Sequence, residues 1–249
     1  MKSKRIIALR GLSRGQKHWG VFPQTLNSLD SEIDLELLEI PGNGTRASED
    51  CPLDAAKVVR MIREKSRFVK NQQSFSILGI SLGGMIALKW AELYPAEVSK
   101  VFTVNSSLSQ LSPFYERLQF RQLPEIFKAL RQVDFLEREK IILSITANDH
   151  QKRNDQLLPM SAFSKQFPVR RSSFLRQLLL AARLKVEVSP KIPIRIIFAS
   201  KDRLVNPACS VSMAQYFSVD PIIHTTAGHD IPLDDPLWLS NIIIDELSK

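Results

Sequence analysis

Ser76-Ile77-Leu78-Gly79-Ile80-Ser81-Leu82-Gly83-Gly84-Met85 is the stretch on which the reading of this chain turns. An apolar run leads into Gly-x-Ser-x-Gly, and a helical pattern follows. Strand, sharp turn and helix in that order are the setting in which this motif builds a nucleophile elbow. The turn requires residues without a Cβ at Gly79 and Gly83, so that the backbone can fold back and its neighbours can pack closely. Ser81 would then stand at the top of a sheet, with the positive end of a helix beneath its hydroxyl. The bare motif arises by chance in roughly one chain in ten of this length, as a Gly-rich connection and nothing more. Its meaning therefore rests on what surrounds it.

Outward from the motif, apolar runs alternate with helical spacing. The pattern predicts strands at Arg5–Leu9, Leu35–Ile40, Phe75–Ile80, Lys100–Val104, Ile194–Ala199 and Pro221–Thr225. It predicts helices at Trp19–Leu29, Pro52–Phe68, Leu82–Leu93, Pro207–Phe217 and Trp238–Leu247. Pro41-Gly42-Asn43-Gly44 forces a turn after the second strand. Such alternation implies an α/β fold with a mostly parallel sheet of about six strands, covered on both faces. Ligands of such sheets sit beyond the carboxyl ends of the strands.

Residues 107–191 break the alternation. They are rich in Leu, Arg, Gln and Phe, and they read as helices near Pro113–Arg121, Pro124–Val133, Arg138–Ile145, Asp155–Gln166 and Ser172–Leu184. The segment is too long for a connecting loop. It is expected to be a helical cap inserted in a core made of residues 1–106 and 192–249. A chain of 249 residues that is 44% hydrophobic can bury one sizeable core of this kind.

Charge is unevenly spread. The formal net charge is +8, and residues 107–191 alone carry fifteen Lys or Arg against eight Asp or Glu. Attraction to an anionic partner would therefore reside in the inserted segment. Cys51 and Cys209 belong to no Cys-x-x-Cys pair, and they read as two free thiols in a reducing compartment. The start, Met1-Lys2-Ser3-Lys4-Arg5, is basic, but the apolar run after it is too short for a signal peptide. No apolar run reaches a membrane-spanning length. The expectation is a cytoplasmic protein with no membrane and no nucleic-acid partner.

A serine hydroxyl needs an adjacent base, and that base needs an orienting group. Of the four histidines, only His229, in Ala227-Gly228-His229-Asp230, directly follows a strand with a flexible glycine before it. His18 reads as a helix-capping or packing residue, His150 as a solvated one and His224 as a core imidazole. Asp202, in Ser200-Lys201-Asp202-Arg203, follows the Ile194–Ala199 strand and is the candidate orienting acid. The plainer reading of Asp202 is a surface-loop carboxylate paired with Arg203. One strand earlier the chain reads Val104-Asn105-Ser106-Ser107, without a carboxylate. Acyl transfer also needs two N–H groups aimed at a developing oxyanion. Leu82, after the nucleophile, supplies one, and Leu12, in the loop after the first strand, is the candidate for the other.

These motifs together resemble an α/β-hydrolase-fold serine hydrolase of the small capped esterase type. The resemblance runs from Arg10-Gly11-Leu12, through Pro41-Gly42-Asn43-Gly44 and the elbow, to Lys201-Asp202-Arg203-Leu204-Val205 and Gly228-His229. The order Ser81, Asp202, His229 is the family's order of nucleophile, acid and base. The resemblance implies hydrolysis of a carboxylic ester or thioester through an acyl-enzyme, without cofactor or metal. The family's usual His-Gly is Arg10-Gly11 here, a change expected to bear on what the site accepts. The first two strands of the fuller fold have no counterpart, so the sheet is expected to be wholly parallel.

Other chemistries fit less well. The elbow carries Ser81 rather than the Asp of a dehalogenase. There is no His-Glu-x-x-His, no Gly-Lys-Ser/Thr ending of a P-loop, and no Gly-x-Gly-x-x-Gly spacing. In the cap, Phe114, Leu118, Phe127, Leu130, Phe163 and Phe167 recur at helical spacing and are expected mostly to pack onto the core. Arg117, Arg121, Arg131, Arg170, Arg171 and Arg176 read as a solvated face. An alternative is that they dock an acidic carrier protein, as in pimeloyl-type acyl-carrier-protein methyl ester esterases. A further alternative is a non-catalytic member of the fold that only binds a ligand.

Overall fold

Strands buried on both faces should be apolar almost throughout, with alternate residues serving opposite layers. The computed structural model, which describes residues 4–249, follows that rule. Met1, Lys2 and Ser3 of the basic N-terminal stretch lie outside the described residues. The strands are β1 (Lys4–Leu9), β2 (Ile33–Leu38), β3 (Phe75–Ile80), β4 (Val98–Val104), β5 (Ile194–Ala199) and β6 (Ile222–His224). All pair in parallel, in the order β2-β1-β3-β4-β5-β6. The order reverses between β1 and β3, which makes the ends of those two strands the switch point of the sheet.

Helices cover both faces: α1 (Phe22–Leu29), α2 (Ala55–Arg63), α3 (Arg67–Lys70) and α4 (Leu82–Leu93) precede the insertion. The insertion between β4 and β5 holds α5 (Phe114–Arg117), α6 (Leu123–Arg131), α7 (Phe135–Thr146), α8 (His150–Gln166) and α9 (Arg171–Arg183). After β5 come α10 (Ala208–Phe217), α11 (Ile231–Asp234) and α12 (Pro236–Ser248). In β1, Ile7 and Leu9 pack with α2 and α4, whereas Ile6 and Ala8 pack with α1 and α12. β5 divides the same way, with Ile194 and Ile196 on one side and Ile197 and Ala199 on the other. Each fully buried Ile or Leu contributes about 1.5–3 kcal/mol through water exclusion.

Several predicted boundaries move for local reasons. β2 ends at Leu38 because its partner β1 ends at Leu9, and Glu39 turns inward to bond the loops around it. The first predicted helix starts at Phe22, since Gly20, at φ 58°, separates it from a 3-10 turn at Gln16–Trp19. The predicted Pro52–Phe68 helix splits where the Ser66 side chain caps a new start at Arg67. The first predicted cap helix shrinks to α5 and a 3-10 turn at Phe120–Gln122. α7 and α8 begin earlier than expected, capped by Asp134 and Asp149.

The insertion follows the expected division into apolar contact and solvated charge only in part: Phe163 is buried, and Leu118, Leu130 and Phe167 are half-buried. Phe114 and Phe127 are exposed, at 67% and 57%. Arg117 is buried and donates to Ser107 Oγ and to the carbonyls of Ala181 and Ala182. Arg176 donates to the carbonyl of Cys51. Arg121, Arg131, Arg170 and Arg171 do lie on the surface. Cys51 and Cys209 are buried free thiols, and burial pushes Cys51 up to about 11. Among the described residues no helix is long and apolar enough to cross a membrane.

Candidate active site

β3 ends at Ile80 and α4 begins at Leu82, so Ser81 alone makes the turn. It does so at φ 54° and ψ −119°. A residue with a Cβ holds such a conformation only where its surroundings fix it, at a cost of about 1–3 kcal/mol. Here the Ser81 N–H donates to Val104 O at 2.8 Å, and Ser106 Oγ donates to the Ser81 carbonyl at 2.9 Å. A Cβ on Gly79 would collide with the backbone of Gly83 and Gly84, and one on Gly83 with the carbonyls of Leu9 and Arg10. The two glycines thus let α4 press onto the ends of β3 and β1.

The acid and the base meet past β5 and β6. Asp202 is buried, and its Oδ2 lies 2.7 Å from His229 Nδ1. Its Oδ1 accepts from the N–H groups of Leu204 and Val205 at 2.8 and 2.9 Å. The loop therefore wraps its own carboxylate and leaves one oxygen for the imidazole. A carboxylate only accepts, so Nδ1 carries the proton and Nε2 is the basic nitrogen. The surface pairing of Asp202 with Arg203 does not form; Arg203 reaches the carbonyls of Ser144 and Ala147 instead.

The His229 loop is held by residues that sequence patterns do not single out. Asn105, at φ 48°, donates to the carbonyls of His229 and Gly228 and accepts from Ala199 N–H at 2.8 Å. The position one strand earlier thus carries an amide that ties β5 to the histidine loop. Asp234 accepts from the N–H groups of Gly228, Asn148 and Asp149. Burial raises the Asp234 carboxyl above its usual range, although these three donors oppose the shift.

On the other side of Ser81 lies the loop after β1. A Cβ added to Gly11 would sit 3.1 Å from Ser81 Cβ and 3.6 Å from its Oγ, so this backbone borders the hydroxyl directly. Leu82 is the first residue of α4, and its N–H has no intrahelical acceptor. Among the described residues the N–H of Leu12 also has no acceptor. The two donors expected from the sequence are thus free on the two strand ends that meet at Ser81. The Ser81 hydroxyl itself is partly exposed and makes no hydrogen bond among the described residues.

Arg10 corrects one expectation. It is 4% exposed, and its two terminal nitrogens bond Asp230 at 2.9 and 2.6 Å while its guanidinium lies over Trp19. Its charge is neutralised inside the protein rather than presented to a substrate. Burial alone would raise the Asp230 carboxyl; the charge of Arg10 and its hydrogen bonds outweigh this and hold it below the usual range. Arg14, in the same loop, pairs with buried Glu139 of α7. His18 packs beside them, bonded to Ser164, and burial together with Arg14 and Arg10 keeps it well below 6.5. His224 contacts Asp235 and the edge of Trp238 inside the fold, and His150 is exposed. Only His229 stands with Asp202 at the site. Among the described residues no group of three His, Cys, Asp or Glu side chains could hold a metal ion.

Residues 34–236 match the family described as alpha/beta hydrolase fold. The chain is 24% identical to the mouse (Mus musculus) monoacylglycerol lipase ABHD6, over 98% of this chain and 75% of the relative. It is 35% identical to a pimeloyl-[acyl-carrier protein] methyl ester esterase of Vibrio parahaemolyticus, over 36% of this chain and 34% of the relative. Among solved structures, a lipase-esterase related protein from Clostridium acetobutylicum superposes with a TM-score of 0.72 at 16% identity, covering 98% and 94% of the two chains.

Proposed function

The chain belongs to the alpha/beta hydrolase fold family, and from that premise we propose that it hydrolyses a carboxylic ester or thioester through an acyl-enzyme on Ser81. One observation carries the reading. The Asp202–His229 pair, bonded at 2.7 Å, stands at the same sheet edge as a serine held at positive φ. The lipase and esterase names of its relatives support ester cleavage as the reaction class.

Ser81 Oγ attacks the acyl carbon while His229 Nε2 takes the hydroxyl proton. The carbonyl oxygen becomes an oxyanion, held by the N–H groups of Leu12 and Leu82. Collapse breaks the bond to the leaving oxygen or sulfur, which departs with the proton from His229. Water then adds to the acyl-enzyme, again losing a proton to His229, and the carboxylic acid leaves as Ser81 recovers its proton. Asp202 keeps the imidazole in the required tautomer throughout and stabilises its charged form. A fluorophosphonate probe tests this: wild type is expected to label and Ser81→Ala not to. Equal labelling of both, or labelling of neither, would leave ligand binding without catalysis as the better account.

A second reading concerns the substrate's carrier. The 96-residue match to an acyl-carrier-protein esterase and the basic insertion favour a carrier-bound ester. The burial of Arg117 and the internal bond of Arg176 narrow the available charges to surface residues such as Arg170 and Arg171. Reversing both charges should slow turnover of a carrier-bound ester and spare a small soluble one. Equal slowing of both substrates would rule the carrier out.

A further inference from the structure

The loop that carries Leu12 is flanked by a hydrogen-bond circuit that no catalytic step uses. Gln177 of α9 is fully buried. Its Oε1 accepts from Ser13 N–H at 2.9 Å, and its Nε2 donates to Asn43 Oδ1 at 2.7 Å and to Pro41 O at 3.3 Å. Asn43 Nδ2 in turn donates to the carbonyl of Gly11 at 3.3 Å. The circuit begins at residue 13 and closes at residue 11, with Leu12 between them.

Its polarity is fixed by backbone alone. A backbone N–H at Ser13 can only donate, so the Gln177 amide must present oxygen there and nitrogen to Asn43. Asn43 must then present oxygen to Gln177 and nitrogen to Gly11, whose carbonyl can only accept. Neither amide can rotate without setting two donors or two acceptors against each other. Ser13 sits at φ 56°, a conformation that needs such external support. Close approach is built in as well. Gly42 lies at φ 92°, and a Cβ there would stand 2.9 Å from Ser173, one turn before Gln177 on α9. The turn after β2 thus admits the helix that holds the turn after β1.

We propose that Gln177 is a positioning residue for the oxyanion hole: through Asn43 and Ser13 it sets the direction of the Leu12 N–H, so that the insertion completes the site chemically. This rests on the acyl-enzyme reading above. Displacing one oxyanion donor costs on the order of 100- to 1,000-fold in kcat when the donor is lost outright. A donor that is kept but mis-aimed costs less, about 10- to 100-fold.

Gln177→Met keeps the volume and removes all three side-chain bonds. With a small soluble ester it should lower kcat about 10- to 100-fold at nearly unchanged KM. Binding of a trifluoromethyl ketone, which forms a tetrahedral oxyanion on Ser81, should weaken by a similar factor. Asn43→Ala should do the same, and the double variant should be little worse than either alone, because one circuit is broken in all three. Thermal unfolding identifies variants that remain folded at the assay temperature. If Gln177→Met does not, Asn43→Ala and Gln177→Glu, which keeps the acceptor for Ser13 but loses the donor to Asn43, are read in its place. Folded variants with wild-type kcat and wild-type ketone affinity would overturn the proposal, as would fully additive losses. The controls are fluorophosphonate labelling of wild type and Ser81→Ala. Absence of wild-type labelling would instead overturn the acyl-enzyme reading, and this inference with it.

Discussion

The two sides of Ser81 depend on the rest of the chain to different degrees. On the acid–base side, Asp202 is bound by N–H groups two and three residues ahead of it, and His229 lies 27 residues away. On the side of the proposed oxyanion donors, the loop at Gly11–Arg14 is fixed by Gln177 and Glu139, which lie 164 and 125 residues from their partners. In the first arrangement the acid's loop shapes itself, while the histidine loop beside it is tied to Asn105 and, through Asp234, to Asn148 and Asp149 of the insertion. The second exists only after the insertion has packed onto the core. The acid of this site is thus set by short-range geometry, and the loop at Gly11–Arg14 by assembly. The Arg10–Asp230 pair, 220 residues apart in sequence, joins them.

The largest test strikes the locally built side. His229→Ala should lower kcat at least about 10⁴-fold, and Asp202→Asn about 10³- to 10⁴-fold, since the imidazole then loses its required tautomer. Turnover of a small ester measures both, and thermal unfolding should move little. If Asp202→Asn retained more than a tenth of the activity, the acid would not belong to the site and the comparison would fail on that side.

An intermediate effect is expected at the joint between the sides. Arg10→Met leaves the Asp230 carboxylate buried without its partner, which costs about 3–5 kcal/mol. Calorimetry or denaturant titration should register that loss, and Arg10→Met with Asp230→Leu should recover much of it. A stability unchanged by the single substitution would mean that the two sides are not joined there.

The smallest effect concerns pH and the assembled side. His18 is held well below 6.5 by burial first, and then by Arg14 and Arg10; Glu139 also faces it. The unfolded chain therefore takes up the proton before the folded one. Stability from this residue is full above about pH 6.5 and falls as the pH drops below it. His18→Gln should blunt the loss. Unfolding of the two proteins at about pH 5 and about pH 7.5 measures it, and equal acid sensitivity would remove His18 from the account.

The same contrast governs what sequence reading reaches. Ser81, Asp202 and His229 each stand at the end of an apolar strand, where Gly or a short polar loop announces a turn, and the strand order follows from the alternating pattern. Gln177 sits in a helix of ordinary composition, Arg10 beside an ordinary turn, and Asn105 where an acid was sought. Their partners are distant in sequence, so no periodicity joins them. Some of what was missed did carry a signal. Asp134 and Asp149 are capping residue types, each accepting from the N–H three residues on, and they mark the starts of α7 and α8. The burial of Arg117 carried no comparable signal, because a basic helix reads as solvated until its packing partner is known.

The close seat of α9 against Gly42 bears on modularity. Caps of this kind invite exchange, since residues 107–191 form one continuous insertion between β4 and β5. In this chain such a transplant would remove the amide that completes the Asn43 circuit. On the positioning role proposed for Gln177, a chimera that takes its cap from a relative must bring a glutamine to the same place on α9 to keep the loop at Gly11–Arg14 aimed. On that proposal, swapping this segment alone would also disturb the loop beside Ser81.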